Sequence, residues 1–147
     1  AEIAVRSGIK YIQFTEPEES VAVDIDNYLK SLKPVPSPFL VNGALTENAL
    51  RGKEIYNKAG CLKCHSGRYY TDKNKYDVGT GIGVHANDLF DVPGLNEIWR
   101  TAPYLYDGRA RSIREVLTIF NQNDEHGITS NLSEEDLDYL EEYILSL

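Results

Sequence analysis

Both cysteines of this 147-residue chain fall within one pentapeptide, Cys61-Leu62-Lys63-Cys64-His65. Two intervening residues place the thiols on one side of a single helical turn, and an imidazole follows at once. This is the attachment signature of c-type haem: the two thiols meet the two vinyl groups of one porphyrin, and the histidine is aimed at the iron. A redox dithiol shares the Cys-x-x-Cys but normally sits after a strand at a helix start, and no strand pattern precedes Cys61. Zinc needs four ligands, and only Cys61, Cys64, His65 and a distant histidine or acid could supply them. The expectation is therefore a single covalently attached haem c, anchored by Cys61 and Cys64, with His65 as an iron ligand.

The surrounding pattern is helical. Thr46 can cap a helix running to about Ala59, with Glu47 in its first turn and Gly60 as its stop. Ser112-Ile113-Arg114-Glu115 reads as a capping box ahead of Val116, Leu117 and Phe120, and Ser133 to Asp136 repeats the device ahead of Leu137, Leu140, Ile144 and Leu147. Glu141 and Glu142 are expected to face water. Gly52 and Tyr56 form a notch and a knob on one face of the first of these helices, to be met by Leu140 and Tyr143 of the last. Residues 68 to 93 read as loop, and the Gly79, Gly81, Gly83 run within them as a permissive turn, since neither the preceding strand nor the third glycine of a dinucleotide fingerprint is present. Apart from an Ile9 to Phe14 alternation, strands are not expected. The fold class is mainly α, a cytochrome c-like helical domain around one covalently attached haem, with long loops.

Three parts are expected along the chain. Residues 1–32 end in a helix that Ser20 would cap, with Val21, Ile25, Tyr28, Leu29 and Leu32 on one face. Residues 33–45 hold Pro34, Pro36 and Pro38 and read as a stiff linker. Residues 46–147 form the haem domain. The first part closes with Asp26-Asn27-Tyr28-Leu29-Lys30-Ser31-Leu32 and the chain closes with Glu141-Glu142-Tyr143-Ile144-Leu145-Ser146-Leu147. That echo marks the first part as the tail of a preceding, similar domain. With Ala1 at its start and no Met anywhere, the sequence reads as processed or as a piece of something larger.

Fifteen basic against twenty-three acidic residues leave a net charge of −8. Such a balance argues against nucleic-acid backbones and anionic membrane surfaces as partners, and no apolar run approaches the length of a membrane span. The basic residues are not spread evenly. Lys58, Lys63, Arg68, Lys73 and Lys75 flank the attachment site and suit docking of an acidic redox partner. Arg100, Arg109, Arg111 and Arg114 form a second group, from which one or two are expected to pair with haem propionates in bidentate geometry. Arg100 is the first choice, because Trp99 beside it would face the ring.

Cys61 to His65, then Asp91-Val92-Pro93-Gly94-Leu95, then Trp99-Arg100-Thr101-Ala102-Pro103-Tyr104-Leu105-Tyr106-Asp107-Gly108 and a final leucine-rich helix together resemble the C-terminal haem domain of the bacterial dihaem cytochrome c peroxidases and the related methylamine-utilisation dihaem enzymes. The resemblance covers about residues 46 to 147 and implies that Trp99, Arg100 and Tyr104 lie at the cofactor. It implies an exported compartment, periplasmic or cell-surface, because haem of this kind is attached outside the cytoplasm in bacteria. It also implies a neighbouring haem domain or a redox protein as partner. The chain departs from the family at two telling positions. Tyr106 stands where the peroxidases commonly have His, and Phe120 where their axial Met falls, so His/Met ligation is impossible here. The peroxide-handling acid and the reactive haem of the family belong to the other domain, so no catalytic residue is assigned.

The sixth position of the iron is left to His126, on the loop before the last helix, with His85, Tyr106 or an open position as alternatives. His126 is preferred, because single-haem folds usually bring their distal ligand from that region. Two imidazoles hold iron in either oxidation state and suit electron transfer. The expected function is electron transfer by a single haem in a larger multi-haem protein; the alternative is one half of a dihaem peroxidase or related oxidising enzyme.

Overall fold

The computed structural model describes residues 2–147; Ala1, the start of the expected first part, lies outside the described residues. The chain divides into two compact units, 1–34 and 35–147.

The first unit is a helix pair, α1 (Glu2–Tyr11) and α2 (Glu19–Ser31). Arg6 of α1 bridges to α2, donating from Nε to Asp26 at 2.9 Å and from Nη1 to Glu19 at 3.0 Å. Two expectations fail here. Helix α1 takes in Ile9 to Tyr11, so the alternation there is not a strand. Helix α2 starts earlier than expected, with Glu18 rather than Ser20 at the cap and no side-chain cap bond, because the backbone already leaves its non-helical conformation after Glu18, φ −54° and ψ 144°. Of the apolar face of α2, Ile25 and Leu29 are half-buried, whereas Val21, Tyr28 and Leu32 are exposed; the one buried side chain is Ala22.

The second unit is built on a crossing of α3 (Glu47–Lys58) with α5 (Glu134–Leu145). Thr46 caps α3 by accepting from the Ala49 amide at 3.0 Å. Ser133 and Asp136 form a complete reciprocal capping box at α5. The two helices approach so closely at Gly52 that an added Cβ would strike the Tyr139 carbonyl and sit 2.8 Å from Tyr143 Cβ. Tyr56 then packs edge-on against Tyr143, with ring centroids 5.3 Å apart. The notch is thus filled by the Tyr139 backbone and Tyr143, while Leu140 lies fully buried in the same core with Ala49, Ile55, Leu117, Leu137 and Ile144.

Helix α4 (Ile113–Leu117) is short, and its stripe ends before Phe120. Ser112 accepts from the Glu115 amide at 3.1 Å, but Glu115 reaches back to the Arg111 amide instead of closing the box on Ser112. Glu141 and Glu142 do not face water. Glu141 accepts from the Arg114 amide and guanidinium at 3.1 and 3.2 Å, joining α4 to α5, and Glu142 accepts from the Thr46 hydroxyl. Arg114 also pairs with Glu134 and Asp138, which removes it from the free basic group.

Two short strands, β1 (Lys75–Tyr76) and β2 (Phe90–Asp91), pair antiparallel within the long loop, where none was expected; only two residues on each side pair, too few to leave a readable alternation. The glycine run leads into a single tight turn at Gly83–His85. Residues 35 to 45 pack as part of the second unit: the Val35 amide donates to Glu97 at 2.7 Å and the Ser37 hydroxyl to the Leu145 carbonyl at 2.6 Å. No helix among the described residues is long and apolar enough to cross a membrane.

Candidate functional site

Helix α3 ends because Gly60 takes a left-handed backbone, φ 87°, which turns the chain straight into the tight turn Cys61–Lys63. The His65 amide donates to the Cys61 carbonyl at 2.9 Å and closes the pentapeptide into one compact loop. Both thiols are free and half-buried. Burial pushes the Cys61 thiol up to about 11, and burial followed by the nearby Asp72 raises Cys64. Burial thus works against thiolate formation at both cysteines, the opposite direction from the lowered thiols of redox dithiols.

His65 is held at both ends. Its carbonyl accepts from the Tyr56 hydroxyl at 2.7 Å, which ties the loop back to α3. Its Nδ1 lies 3.1 Å from the Tyr70 carbonyl. A carbonyl can only accept, so Nδ1 carries the proton and Nε2 keeps its lone pair, the tautomer a metal ligand needs. Burial lowers the basicity of the ring, against the opposing pull of the Tyr70 and Pro93 carbonyls.

His126 comes to the same place from the loop ahead of α5. The Ile128 amide donates to the Ala59 carbonyl at 2.9 Å, and Gly127, φ 87°, passes so near the attachment turn that a Cβ there would lie 3.6 Å from Cys61 Sγ. The rings of His65 and His126 stand with centroids 6.1 Å apart and planes inclined by 35°. Burial, with the neighbouring His65 as a smaller cause, lowers His126 to about 4, so the ring is neutral at physiological pH. His126 Nδ1 is buried without a hydrogen-bond partner.

These features fit a haem iron between the two rings. Two metal–imidazole bonds of about 2 Å each, with each ring centroid roughly 1 Å behind its nitrogen, require a centroid separation of roughly 6 Å. Two further buried polar atoms of the second unit lack partners, Trp99 Nε1 and Arg109 Nε, and donors of this kind suit propionate oxygens. Among the described residues no three His, Cys, Asp or Glu side chains converge on a point as they would for a bare ion, which is not the arrangement of a four-ligand zinc site.

The structure also places the other residues singled out in the sequence. His85 is exposed, bonded through Nδ1 to Asp88 at 2.7 Å and set edge-on to Tyr106. Tyr106 in turn stacks on Phe90. Tyr104 donates its hydroxyl to the Ile98 carbonyl at 2.9 Å. Arg100 is exposed and paired with Glu97 at 2.6 Å, lying over Trp99. Arg109 is the more enclosed of the two. It bonds to Asp107 and the Thr80 carbonyl, lies over the Phe120 ring, and lines a cavity of about 370 Å³ with Val78, Ile82, Phe120 and Glu125. The sequence ranks Arg100 above Arg109 on its tryptophan neighbour alone; the signal for Arg109 is its place beside the Asp107-Gly108 turn. Around the attachment turn, Lys58 and Lys75 are partnered by Glu54 and Asp91, and Arg68 lies over Tyr69.

No protein-family model matches the chain. It is 30% identical over 89 residues to a methylamine utilization protein MauG of Methylophilus methylotrophus, covering 50% of this chain and 27% of that protein. A cytochrome c551 peroxidase of Nitrosomonas europaea is 30% identical over 92 residues, again 50% of this chain and 27% of the relative. Among solved structures, a chain of Kuenenia stuttgartiensis hydrazine synthase, determined under 20 bar of xenon, superposes with a TM-score of 0.79 at 27% identity over 98% of this chain and 60% of its own. The chain thus spans about a quarter of the length of these curated relatives.

Proposed function

We propose that this chain, a homologue of the dihaem cytochrome c peroxidase superfamily over about half its length, carries one haem c that Cys61 and Cys64 would anchor and whose iron His65 and His126 would hold, and transfers electrons as a domain of a larger exported multi-haem protein. The observation that carries the reading is the pair of imidazoles with ring centroids 6.1 Å apart beside the two cysteines. Bound haem supplies one-electron redox chemistry. The chain's residues do the rest. Tyr56 and Tyr70 fix the position and tautomer of His65. Burial keeps His126 neutral and therefore able to donate its lone pair. Arg109 and Trp99 offer unpartnered donors for the propionates, in preference to Arg100. Ligation by two imidazoles without a thioether gives a lower potential than His/Met ligation, and Lys63, Arg68 and Lys73 remain to receive an acidic redox partner or the adjacent haem domain. Attachment of haem c outside the bacterial cytoplasm supports a periplasmic or cell-surface location.

A second reading is favoured by the names of the relatives: the chain is the haem half of a peroxidase or related oxidising enzyme whose other haem domain lies elsewhere in the parent protein. Peroxide turnover by the parent protein with an electron donor separates the two, and electron paramagnetic resonance of the ferric holoprotein tests the ligation on which the first rests. Electron transfer through a bis-imidazole centre gives a low-spin signal that His126→Ala converts to high spin. A wild-type centre that is already high spin, or a His126→Ala variant with an unchanged signal, overturns the proposal.

A further inference from the structure

The ring of His126 makes no hydrogen bond among the described residues, and its Nδ1 is buried without a partner. Its direction therefore depends on packing and on the backbone that carries it. That backbone is gripped by one side chain. Asn121, 5% exposed, accepts the His126 amide proton on Oδ1 at 2.8 Å and donates from Nδ2 to the Gly127 carbonyl at 2.8 Å, so it holds the main chain on both sides of the histidine. The same Nδ2 donates to Thr129 Oγ1 at 2.8 Å, and that hydroxyl donates onward to the Leu117 carbonyl at 2.7 Å, at the end of α4 in the core. A second clasp, Asp124, accepts from the Thr129 and Ser130 amides at 2.8 and 2.9 Å and closes the far side of the loop. The line of force runs from the core through Thr129 and Asn121 to the backbone of His126.

We propose that Asn121 is the positioning residue that keeps His126 on the iron, and so decides whether the sixth position is closed for electron transfer or open to exogenous ligands. This role rests on the bis-imidazole reading. Removing the amide leaves the His126 N–H and the Gly127 carbonyl without partners in a half-buried loop and strips the Thr129 hydroxyl of its donor while it keeps the Leu117 carbonyl, a cost the loop escapes by opening towards water. An opened loop carries the imidazole away from the ring of His65, while the attachment turn and the α3–α5 core, which make none of these contacts, stay as they are.

The test uses the haem-loaded full chain. In Asn121→Ala most of the low-spin ferric signal becomes high spin, carbon monoxide binds the reduced protein about tenfold faster, as the loss of about one or two hydrogen bonds closing the loop implies, and added imidazole restores the low-spin signal. Hydrogen exchange speeds up at the His126 amide and not in α3. Thr129→Val, which cuts the link to the core but leaves Asn121 in place, moves the same readouts in the same direction by less, and carries the test if Asn121→Ala does not fold. A low-spin wild type with both variants indistinguishable from it in spin state and carbon monoxide rate overturns this inference alone. A wild type that is already high spin overturns the bis-imidazole reading, and this inference with it.

Discussion

The two ends of the chain carry nearly the same helical phrase in opposite circumstances. Tyr28 near the end of α2 is 64% exposed, whereas Tyr143, its counterpart in α5, is 4% exposed. Both helices are amphipathic, so the difference lies in what each one meets. Helix α5 meets α3, whose Gly52 lets two backbones touch and whose Tyr56 fills the crossing. Helix α2 is tied to α1 by Arg6 and its two carboxylates, a contact of charges rather than of volume. Amphipathic pattern supplies a face; a shaped partner makes it a core.

Truncating the two tyrosines breaks that comparison most strongly. Tyr143→Ala removes a buried ring at the crossing and costs about 4 kcal/mol in denaturant unfolding, while Tyr28→Ala changes stability by less than about 0.5 kcal/mol. Equal losses at the two sites would contradict the assignment of the core to α3 and α5. Gly52→Ala forces a Cβ into the Tyr139 carbonyl and costs about 3 kcal/mol; Gly8→Ala in α1, where an added Cβ meets nothing, leaves the melting temperature unchanged or raises it. At the helix starts the contrast is smaller. Ser133→Ala removes half of the capping box of α5 and costs about 1 kcal/mol, whereas Glu18→Ser gives α2 the side-chain cap it lacks and slows hydrogen exchange in its first turn. The smallest effect concerns the segment that opens the second unit. Bonds from the Val35 amide and Arg100 hold the Glu97 carboxyl below its ordinary range. A carboxylate lowered in the folded state contributes stability above its unfolded value of about 4 and loses it as pH falls through the folded value. The Val35 amide should therefore exchange faster on acidification through that window, once the intrinsic pH dependence of exchange is allowed for, and Glu97→Gln should flatten the residual trend.

Local signals with one dominant cause are readable in the sequence. The helix from Thr46, its stop at Gly60 and the capping box at Ser133 each follow from a single residue in a single backbone state, and the expected crossing partners of Gly52 and Tyr56 are nearly right. Features that depend on a second, distant residue are not readable. Glu141 looks like a surface acid until Arg114 arrives from α4. Ser20 is a better cap residue than Glu18 by type, yet the backbone bends too early to use it. At the site, the pentapeptide carries the expectation of haem attachment in the sequence itself, and the loop histidine before the last helix is the expected sixth ligand because single-haem folds usually bring theirs from that region. Nothing in the sequence ranks Arg109 above Arg100 or points to Asn121, because a buried donor without a partner and an amide clamped on both sides of a histidine exist only once the loops are folded.

Covalent attachment at Cys61 and Cys64 underlies every functional step proposed for this chain, and the mass of the intact, denatured holoprotein tests it most directly. The predicted result is a polypeptide heavier than its sequence by one haem, with the colour retained by the chain after acid and denaturant and lost from a Cys61→Ser, Cys64→Ser double variant. A wild-type chain of bare sequence mass with two titratable thiols, isolated from cells competent in haem c attachment, would contradict it.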